Sequence, residues 1–315
     1  MKNYIYSVYA AIKEEKSNRR FTSGGEFEKN RIEAEIVRNV HSIEKGLSIK
    51  DPRLGFGVKK INEMFSLVDR YLEISRDFEA LYFVVDAVKE YVAYHEKAGF
   101  ENQDINEIKQ KNEALERKIG AHEGKYGGTL MLDKKDFEID ASSVEKLLTS
   151  RHSIREFSGE PVPEELLIRA IELAQRVPSA CNRQAVRVYS ISAENYIKVV
   201  GTLDGIGGFA QDADRFLLIT GVQSAYRRGE RNQFAVSAAM FAAYLTVSLH
   251  ALGIGACTVQ HSLVPTKAFE KMRDVYSIPR DEQTVVTLAI GMMKDQTTVP
   301  VSRRYSLGKI YRNLD

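Results

Sequence analysis

The sequence has no tryptophan, only two cysteines and a formal net charge of +2 over 315 residues. A charge this close to zero gives no reason to expect a nucleic acid or an anionic membrane as partner, because both attract strongly basic surfaces. Cys181 and Cys257 form no CxxC pair, and no cluster of His and Cys at ligand spacing accompanies them. A disulfide framework or a metal site is therefore not expected. This low cysteine content is consistent with a protein of the reducing cytoplasm.

Long apolar segments are also scarce. The longest nearly apolar run, residues 235–249, is shorter than a bilayer-spanning helix, so it is predicted to be a buried helix. The N-terminal residues show neither the apolar core nor the cleavage pattern of an export signal, which again favours the cytoplasm. Neither a GxGxxG fingerprint nor a P-loop is present, so any nucleotide would be bound by another motif.

Hydrophobic patterning divides the chain into two parts. Residues 1–122 are predicted to form a helical N-terminal domain, with apolar residues at helical spacing over about 26–46, 58–75 and 77–97. A fourth helix is predicted over about 103–119, which is polar, rich in Glu and Lys, and more weakly periodic. Residues 123–140 are rich in glycine and lack this period, which predicts a linker. Residues 141–315 alternate helical segments with four short β-branched runs, at 186–191, 216–222, 255–259 and 284–292. This second domain is predicted to be a layered α+β fold.

Two polar clusters lie on either side of the strongest helical pattern of the second domain, residues 163–177. The first cluster consists of Arg151, His152, Ser153 and Arg155. Arginines this close to a hydroxyl can hold a phosphate through charge-assisted hydrogen bonds, although a solvated charged turn is the alternative. The second consists of Pro178, Ser179, Asn182, Arg183 and Gln184. Amide side chains both donate and accept, which suits the edge of a heterocycle, although these residues also build ordinary turns.

Two further segments are candidates for ligand contact. In LGIGACTVQ, residues 252–260, Gly253 and Gly255 would let the backbone approach a flat ligand, or Gly253 would simply end a helix. Near the C-terminus, Arg303 and Arg304 could meet a phosphate, and a frayed basic tail is the alternative.

The order of these motifs resembles the nitroreductase family of FMN-dependent enzymes. RHSIREF, then a PVPEE helix, then PSACNRQ before a strand, then LGIGAC and a terminal Arg pair follow the family's sequence over about residues 140–315. The resemblance implies a three-layer α+β fold with a mixed central sheet. It also implies an intertwined homodimer with FMN at the subunit interface, and NADH or NADPH as the electron donor.

The resemblance also implies which residues bind FMN. Arg151, His152, Ser153 and Arg155 match the segment that holds the phosphate and ribityl chain. The ring would be contacted by the turn of Pro178, Ser179, Asn182 and Gln184. Gln260 and His261 fall near the segment facing flavin N5, and Arg303 or Arg304 matches a basic residue on the phosphate. The family often has an acidic residue or Gly at Gln260–His261, and Trp or Pro at Cys257–Thr258, which leaves substrate preference open.

The expected function is an FMN-dependent oxidoreductase that passes hydride from NAD(P)H to a small electron-poor substrate, such as a nitroaromatic, quinone or enone. The flavin would carry the electrons, so no side-chain nucleophile is needed, and Arg183 or Arg187 would stabilise its reduced form. One alternative is a flavin-binding sensor or assembly protein without turnover. Another is a specialised biosynthetic flavoenzyme gated by the helical domain.

The helical domain contains an unusual segment, HSIEKGLSIKDPRLGFG, at residues 41–57. One hypothesis makes it a cap over the flavin that selects the substrate, with His41, Glu44, Lys45 and Arg53 facing the pocket. The alternative is a bundle that stabilises a dimer, with Glu44 and Lys45 as solvated charges. Docking of a partner protein is a third option.

Overall fold

The computed structural model describes residues 2–23, 25–201, 206–261 and 266–314. Its N-terminal part contains five helices: α1 (Lys2–Ser23), α2 (Glu28–Leu47), α3 (Val58–Ile74), α4 (Glu79–Lys97) and α5 (Gln103–Ile119). Helices α2 to α5 share one core of buried aliphatic and aromatic side chains, and we call them the helical region. Their bounds confirm the helices predicted from the apolar spacing to within two residues.

Helix α1 packs against the second part of the chain. Lys13 forms an ion pair with Glu270 at 3.1 Å, and the Ser17 hydroxyl donates to the Gln223 side chain at 3.2 Å. Glu15 accepts a hydrogen bond from the Arg228 guanidinium at 2.9 Å. The first helix of the chain therefore lies along the second domain.

The segment 121–129, which follows α5, is hydrogen-bonded to α2 and α4. The Asp86 carboxylate accepts from the backbone N–H of Tyr126 at 2.6 Å, and Glu90 accepts from that of Thr129. The Glu44 carboxylate accepts from the backbone N–H of Gly128 at 3.3 Å. The start of the predicted linker is thus fastened to the helical region, and the predicted domain boundaries stay predictions.

The second part of the chain alternates helices and strands. Its helices are α6 (Ala141–Ser150), α7 (Glu164–Ala174), α8 (Ala193–Val200), α9 (Gln233–Ala251) and α10 (Lys267–Tyr276). Its strands are β1 (Val186–Ser192), β2 (Arg215–Val222), β3 (Ile254–Gln260) and β4 (Glu282–Met292). All four predicted strands are found within two residues of their predicted ends, and the α+β class is confirmed. Helix α8 was not predicted.

The strand order is β1-β2-β4-β3, and all three pairings between described strands are antiparallel. The expectation of a mixed sheet is therefore wrong for the described strands, which form an antiparallel sheet. Strands β2 and β3, joined through α9, run in the same direction, as in a βαβ unit. They are not neighbours, because β4 lies between them and is antiparallel to both.

The sheet is covered on both faces, which gives three layers. Leu217 and Ile219 of β2 point into a core shared with α7 and α9, whereas Phe216 and Leu218 point into a core shared with α8 and α10. By length and composition α9 could cross a membrane, with a mean hydropathy of 1.5 over 18 residues. It instead packs on α7, β2 and β3, which confirms the predicted buried helix.

Candidate functional site

The basic segment, residues 151–155, runs along the outer edge of β3. The backbone N–H of Ile154 donates to the carbonyl of Ala256 at 3.0 Å, and the Ile154 side chain is buried. Its neighbour Arg155 is exposed, with its guanidinium 5.9 Å from the centre of the Phe209 ring. The segment therefore buries Ile154 against β3, leaves Arg155 exposed and keeps Arg151 and His152 half-buried.

His250, in the last turn of α9, joins the basic segment. Its ring Nε2 lies 2.8 Å from the Ser150 hydroxyl. Burial lowers the pKa of His250, and the positive charges of Arg151 and His152 lower it further. Three basic side chains thus converge at this point. His250 was missed from the sequence, because nothing in its local pattern indicates that α9 ends beside residue 151.

The polar turn after α7 has a strained backbone. Cys181, Asn182 and Gln184 all adopt the left-handed conformation, with φ between 50° and 54°. Each such non-glycine residue costs on the order of 1 kcal/mol, and strain of this kind is concentrated at functional sites. The Ser179 hydroxyl accepts from the backbone N–H of Gln184 at 3.1 Å. The side chains of Asn182 and Gln184 are exposed, as is Pro178.

The buried side chain of Arg183 fixes this turn to the residues beneath its surface. Its guanidinium donates to both oxygens of Glu230, at 3.0 and 2.7 Å, and lies 4.9 Å from the centre of the Tyr226 ring. The side chain is 1% exposed. The hypothesis that Arg183 stabilises reduced flavin is therefore corrected, because its charge is already neutralised. Arg187 is exposed and, among the described residues, donates to the backbone carbonyls of Gln184 and Val186, so its predicted role toward the reduced flavin stays a prediction.

Within one chain, the basic segment and the polar turn lie at opposite edges of the sheet. Three inter-strand steps of about 4.8 Å, or about 14 Å in all, separate β3 from β1. Ile154 bonds to Ala256, which pairs with Ile290 of β4. Val186, which follows the turn, pairs with Gly221 of β2, and Gly221 pairs with Gln283 of β4. The interval from Ile290 to Gln283, seven residues of β4, adds about 23 Å along the strand. Ala256, beside the basic segment, and Val186, after the polar turn, are therefore about 27 Å apart, and the clusters lie beyond them.

Gln260 and His261 end β3 at the far end from the basic segment. Gln260 is exposed, but His261 is packed edge-on against Phe269, with ring centres 4.3 Å apart. Its Nε2 lies 2.7 Å from the Thr287 hydroxyl, and burial lowers the pKa of His261 to about 4. His261 is therefore a neutral, packed side chain, and Gln260 is the more accessible of the two. Ser262 to Pro265, which follow, lie outside the described residues.

The C-terminal tail, residues 299–314, places Arg303 and Arg304 in solvent. Arg304 bonds to the nearby carbonyl of Ser302. The tail also exposes several large apolar side chains, each more than 60% exposed: Val301, Tyr305, Leu307, Ile310, Tyr311 and Leu314. So many apolar side chains on one extended segment indicate a surface that another molecule covers.

The structure explains why glycine is present at both positions of LGIGAC. Gly253 follows α9 with a φ of +77°, which is the expected helix-ending conformation. A Cβ on Gly255 would lie 2.9 Å from the Ile154 side chain. Gly255 therefore lets the basic segment approach β3, and the proximity of a flat ligand is not needed to explain it.

A cavity of about 420 Å³ lies at the seam between the helical region and the second domain, and we call it the seam cavity. The polar turn contributes Ser179 and Gln184 to its wall, and β1 contributes Arg187. Val37 of α2 and Phe83 of α4 form apolar wall on the opposite side. Three carboxylates of the helical region also line it: Glu33, Asp77 and Glu79.

The proposed cap residues His41, Glu44, Lys45 and Arg53 do not line the seam cavity. His41 and Glu44 bond to each other at 3.3 Å, and Glu44 holds the backbone of Gly128. Lys45 and Arg53 are exposed. Glu44 thus fastens a loop within the helical region. The residues of α2 that line the seam cavity together with the polar turn are Glu33 and Val37, in its first half, which the sequence did not single out.

Comparison with known protein families gives a match to one segment of the chain. Residues 148–202 match the family model described as the Nitroreductase family. These residues include the basic segment, α7 and the polar turn. An FMN reductase (NAD(P)H) from Bacillus subtilis (strain 168) is 36% identical over 77 residues, which are 24% of this chain and 31% of that protein. The match therefore spans about a third of the relative's length.

Solved structures with similar folds match a little over half of the chain. An FMN-dependent nitroreductase from Clostridium difficile R20291 is 19% identical, with a TM-score of 0.45, and the match covers 54% of this chain and 98% of that one. A nitroreductase-like protein from Streptococcus mutans is 15% identical, with a TM-score of 0.46, covering 56% of this chain and 100% of that one.

Proposed function

We propose that this chain, whose residues 148–202 are of the nitroreductase family, is an FMN-dependent oxidoreductase that uses NADH or NADPH to reduce a small electron-poor organic substrate. The observation that carries the proposal is the pairing, inside the family segment, of a basic segment with a strained polar turn. Bound FMN would accept hydride and pass it on, and the protein would supply binding and orientation.

The residues present fit FMN. Arg151 and Arg155 offer charge-assisted hydrogen bonds to a phosphate, and His152 and Ser153 extend the same edge. In the polar turn, the exposed side chains of Asn182 and Gln184 both donate and accept, as the edge of an isoalloxazine ring requires. No described side chain has to act as a nucleophile.

We propose further that the protein is a homodimer with two composite sites. Two clusters beside strand residues that are about 27 Å apart in one chain lie too far from each other to hold one FMN. A second copy can bring its polar turn to the first copy's basic segment. The exposed apolar tail supports this arrangement, because a partner surface would remove it from water and carry Arg303 or Arg304 to the phosphate.

The seam cavity is the proposed chamber for the electron acceptor. It adjoins Ser179 and Gln184 of the polar turn, so a flat substrate within it would lie beside the proposed flavin ring. Its wall of Val37 and Phe83 places substrate selection in the first half of α2 and the start of α4. This keeps the hypothesis that the helical region caps the flavin and selects the substrate, but assigns that role to different residues.

The first experiment is the visible spectrum of the purified protein, with the released chromophore identified by mass, followed by anaerobic NADH and NADPH. We expect FMN that is bleached by one of the two donors. A colourless protein that refuses added FMN would overturn the proposal. Bound flavin that neither donor bleaches would favour a sensor without turnover.

The composite site is tested by mixing two inactive variants. R151A/R155A lacks the basic segment's charges, and N182A/Q184A lacks the turn's amides. If each site combines two copies, a heterodimer regains one intact site, so an equal mixture that re-equilibrates should recover about a quarter of wild-type FMN binding. A site built within one chain gives no recovery. R169A, an exposed arginine of α7 paired with Glu172, is the control for loss of surface charge.

A further inference from the structure

A second cavity lies between α1 and the second domain, away from the basic segment and the polar turn. It has a volume of about 250 Å³, and we call it the α1 cavity. Phe21, Tyr226 and Phe234 contribute aromatic surface to its wall, and all three are at least nine-tenths buried. Such a wall suits a flat apolar ring.

The charged side chains of this wall are mostly basic. Six basic and three acidic residues line it. Of these, Lys13 is paired with Glu270, Arg231 with Glu15, Arg20 with Glu26, and Glu230 with Arg183. Among the described residues, the cations left without a carboxylate partner are Lys16, Arg273 and Arg280, against the single unpaired carboxylate of Glu14. The cavity therefore carries a positive surplus.

Arg273 is the most informative of these side chains. One of its Nη atoms donates to the carbonyl of Glu282 at 3.0 Å, but its Nε is shielded from solvent and has no hydrogen-bond partner among the described residues. Burial lowers the pKa of Arg273 most; the carboxylates of Glu270, Asp274 and Glu282 act against this, and the positive charge of Arg280 adds to it. Arg273 and Arg280 thus place two guanidinium groups in one wall of the cavity, where they suit an anion.

We propose that the α1 cavity is a ligand site, separate from the proposed flavin site, that takes a small organic phosphate carrying a flat apolar ring. Arg273 and Arg280 would hold the phosphate from the side of α10, Lys16 would hold it from α1, and the ring would lie against Phe21 and Phe234. The cavity is smaller than the sites that enclose drug-sized ligands, so a whole dinucleotide is excluded.

This arrangement has a structural consequence for α1. The ligand would bridge Lys16 of α1 to Arg273 and Arg280 of the second domain. Its binding should therefore slow hydrogen exchange of the α1 backbone amides, because it would add to the contacts that Lys13, Glu15 and Ser17 make with the domain. The inference uses no part of the flavin site, so it stands or fails independently of the proposed function.

The test is calorimetric titration of the full-length protein with phenyl phosphate at low salt, on protein freed of unbound FMN, because FMN is itself a phosphate with a flat ring and would compete. Benzoate and inorganic phosphate test whether a carboxylate or the phosphate alone suffices. Lys16→Gln and Arg280→Gln, both exposed, should each raise the Kd about tenfold through loss of a charge-assisted hydrogen bond. Lys271→Gln, an exposed residue of α10 that does not line the cavity, should leave the Kd unchanged.

Arg273→Gln should abolish binding of phenyl phosphate. If that change prevents folding, the Kd values of Lys16→Gln and Arg280→Gln test the proposal without it. The inference is overturned if phenyl phosphate does not bind the wild type below millimolar concentration. It is also overturned if Lys16→Gln and Arg280→Gln bind as the control does. Loss of binding in R151A/R155A, with no effect of the cavity variants, would assign the phosphate to the basic segment instead.

Discussion

Gly46→Ala tests whether the HSIEKGL segment is built for packing. A Cβ at this position would lie 2.8 Å from Cδ2 and Cζ of Phe56 and closer still to Cε2. The Phe56 ring has little room to withdraw, because it packs edge-on against fully buried Tyr91, at 5.1 Å, and beside fully buried His95. The Tyr91 hydroxyl also donates to the Phe56 carbonyl at 2.6 Å.

The magnitude follows from two opposing effects. Overpacking of this kind costs up to about 3 kcal/mol, whereas alanine is about 1 kcal/mol better than glycine within a helix. Gly46→Ala should therefore destabilise the protein by about 2 kcal/mol. With a urea dependence of about 3 kcal/mol per molar, the unfolding midpoint of the helical region should fall by about 0.7 M.

Urea unfolding followed by circular dichroism measures this change. Gly208→Ala is the matched control, because a Cβ there meets nothing within 4 Å, and it should shift stability by less than about 0.5 kcal/mol. Phe56→Leu in the Gly46→Ala background should recover part of the loss, so that the two changes are not additive. An unchanged midpoint for Gly46→Ala, or strictly additive effects, would refute the packing explanation.

Three further outcomes are expected. Arg155→Ala combined with Arg304→Ala should lose FMN while the circular dichroism spectrum is unchanged, and retention of stoichiometric FMN would remove both from the phosphate site; Arg169→Ala is the control. His261 has its pKa lowered from 6.5 to about 4, so its contribution to stability is full above pH 6.5 and is lost as the pH falls towards 4, because the unfolded chain binds the proton first. Urea midpoints from pH 4 to 7 should show this loss in the wild type and a flatter profile in His261→Phe, and equal slopes would contradict it. Asp86→Ala should free the loop after α5 and speed its cleavage by a protease, and unchanged cleavage would show that the loop is held by other contacts.

Local patterns were enough for most of the secondary structure. The helices of the helical region have apolar residues at helical spacing over four or five turns, so their existence follows from the chain alone. The four strands are short β-branched runs between turn residues. Helix α8 has only eight residues, and its start depends on the Ser192 hydroxyl, which accepts from the Asn195 backbone. Such a short segment next to a strand gives little periodic signal.

The candidate site was predicted as a set of residues but not as an arrangement. Its basic segment and polar turn were found because their residue types have a distinctive chemistry at short spacing. Arg183 looked equally available in the sequence, yet Glu230, far along the chain, neutralises it. An isolated histidine has a pKa of 6.5, and it is burial, beside Phe269, that lowers the pKa of His261.

The sequence by itself determined the helical N-terminal part, the α+β second domain and the two polar clusters, because each depends on residues near one another in the chain. Tertiary structure alone decided that β4 separates β2 from β3, and that the two clusters lie at opposite edges of the sheet. It also decided that the first half of α2, instead of His41 and Glu44, faces the polar turn. These features depend on which distant surfaces bury each other, and no local pattern encodes that choice.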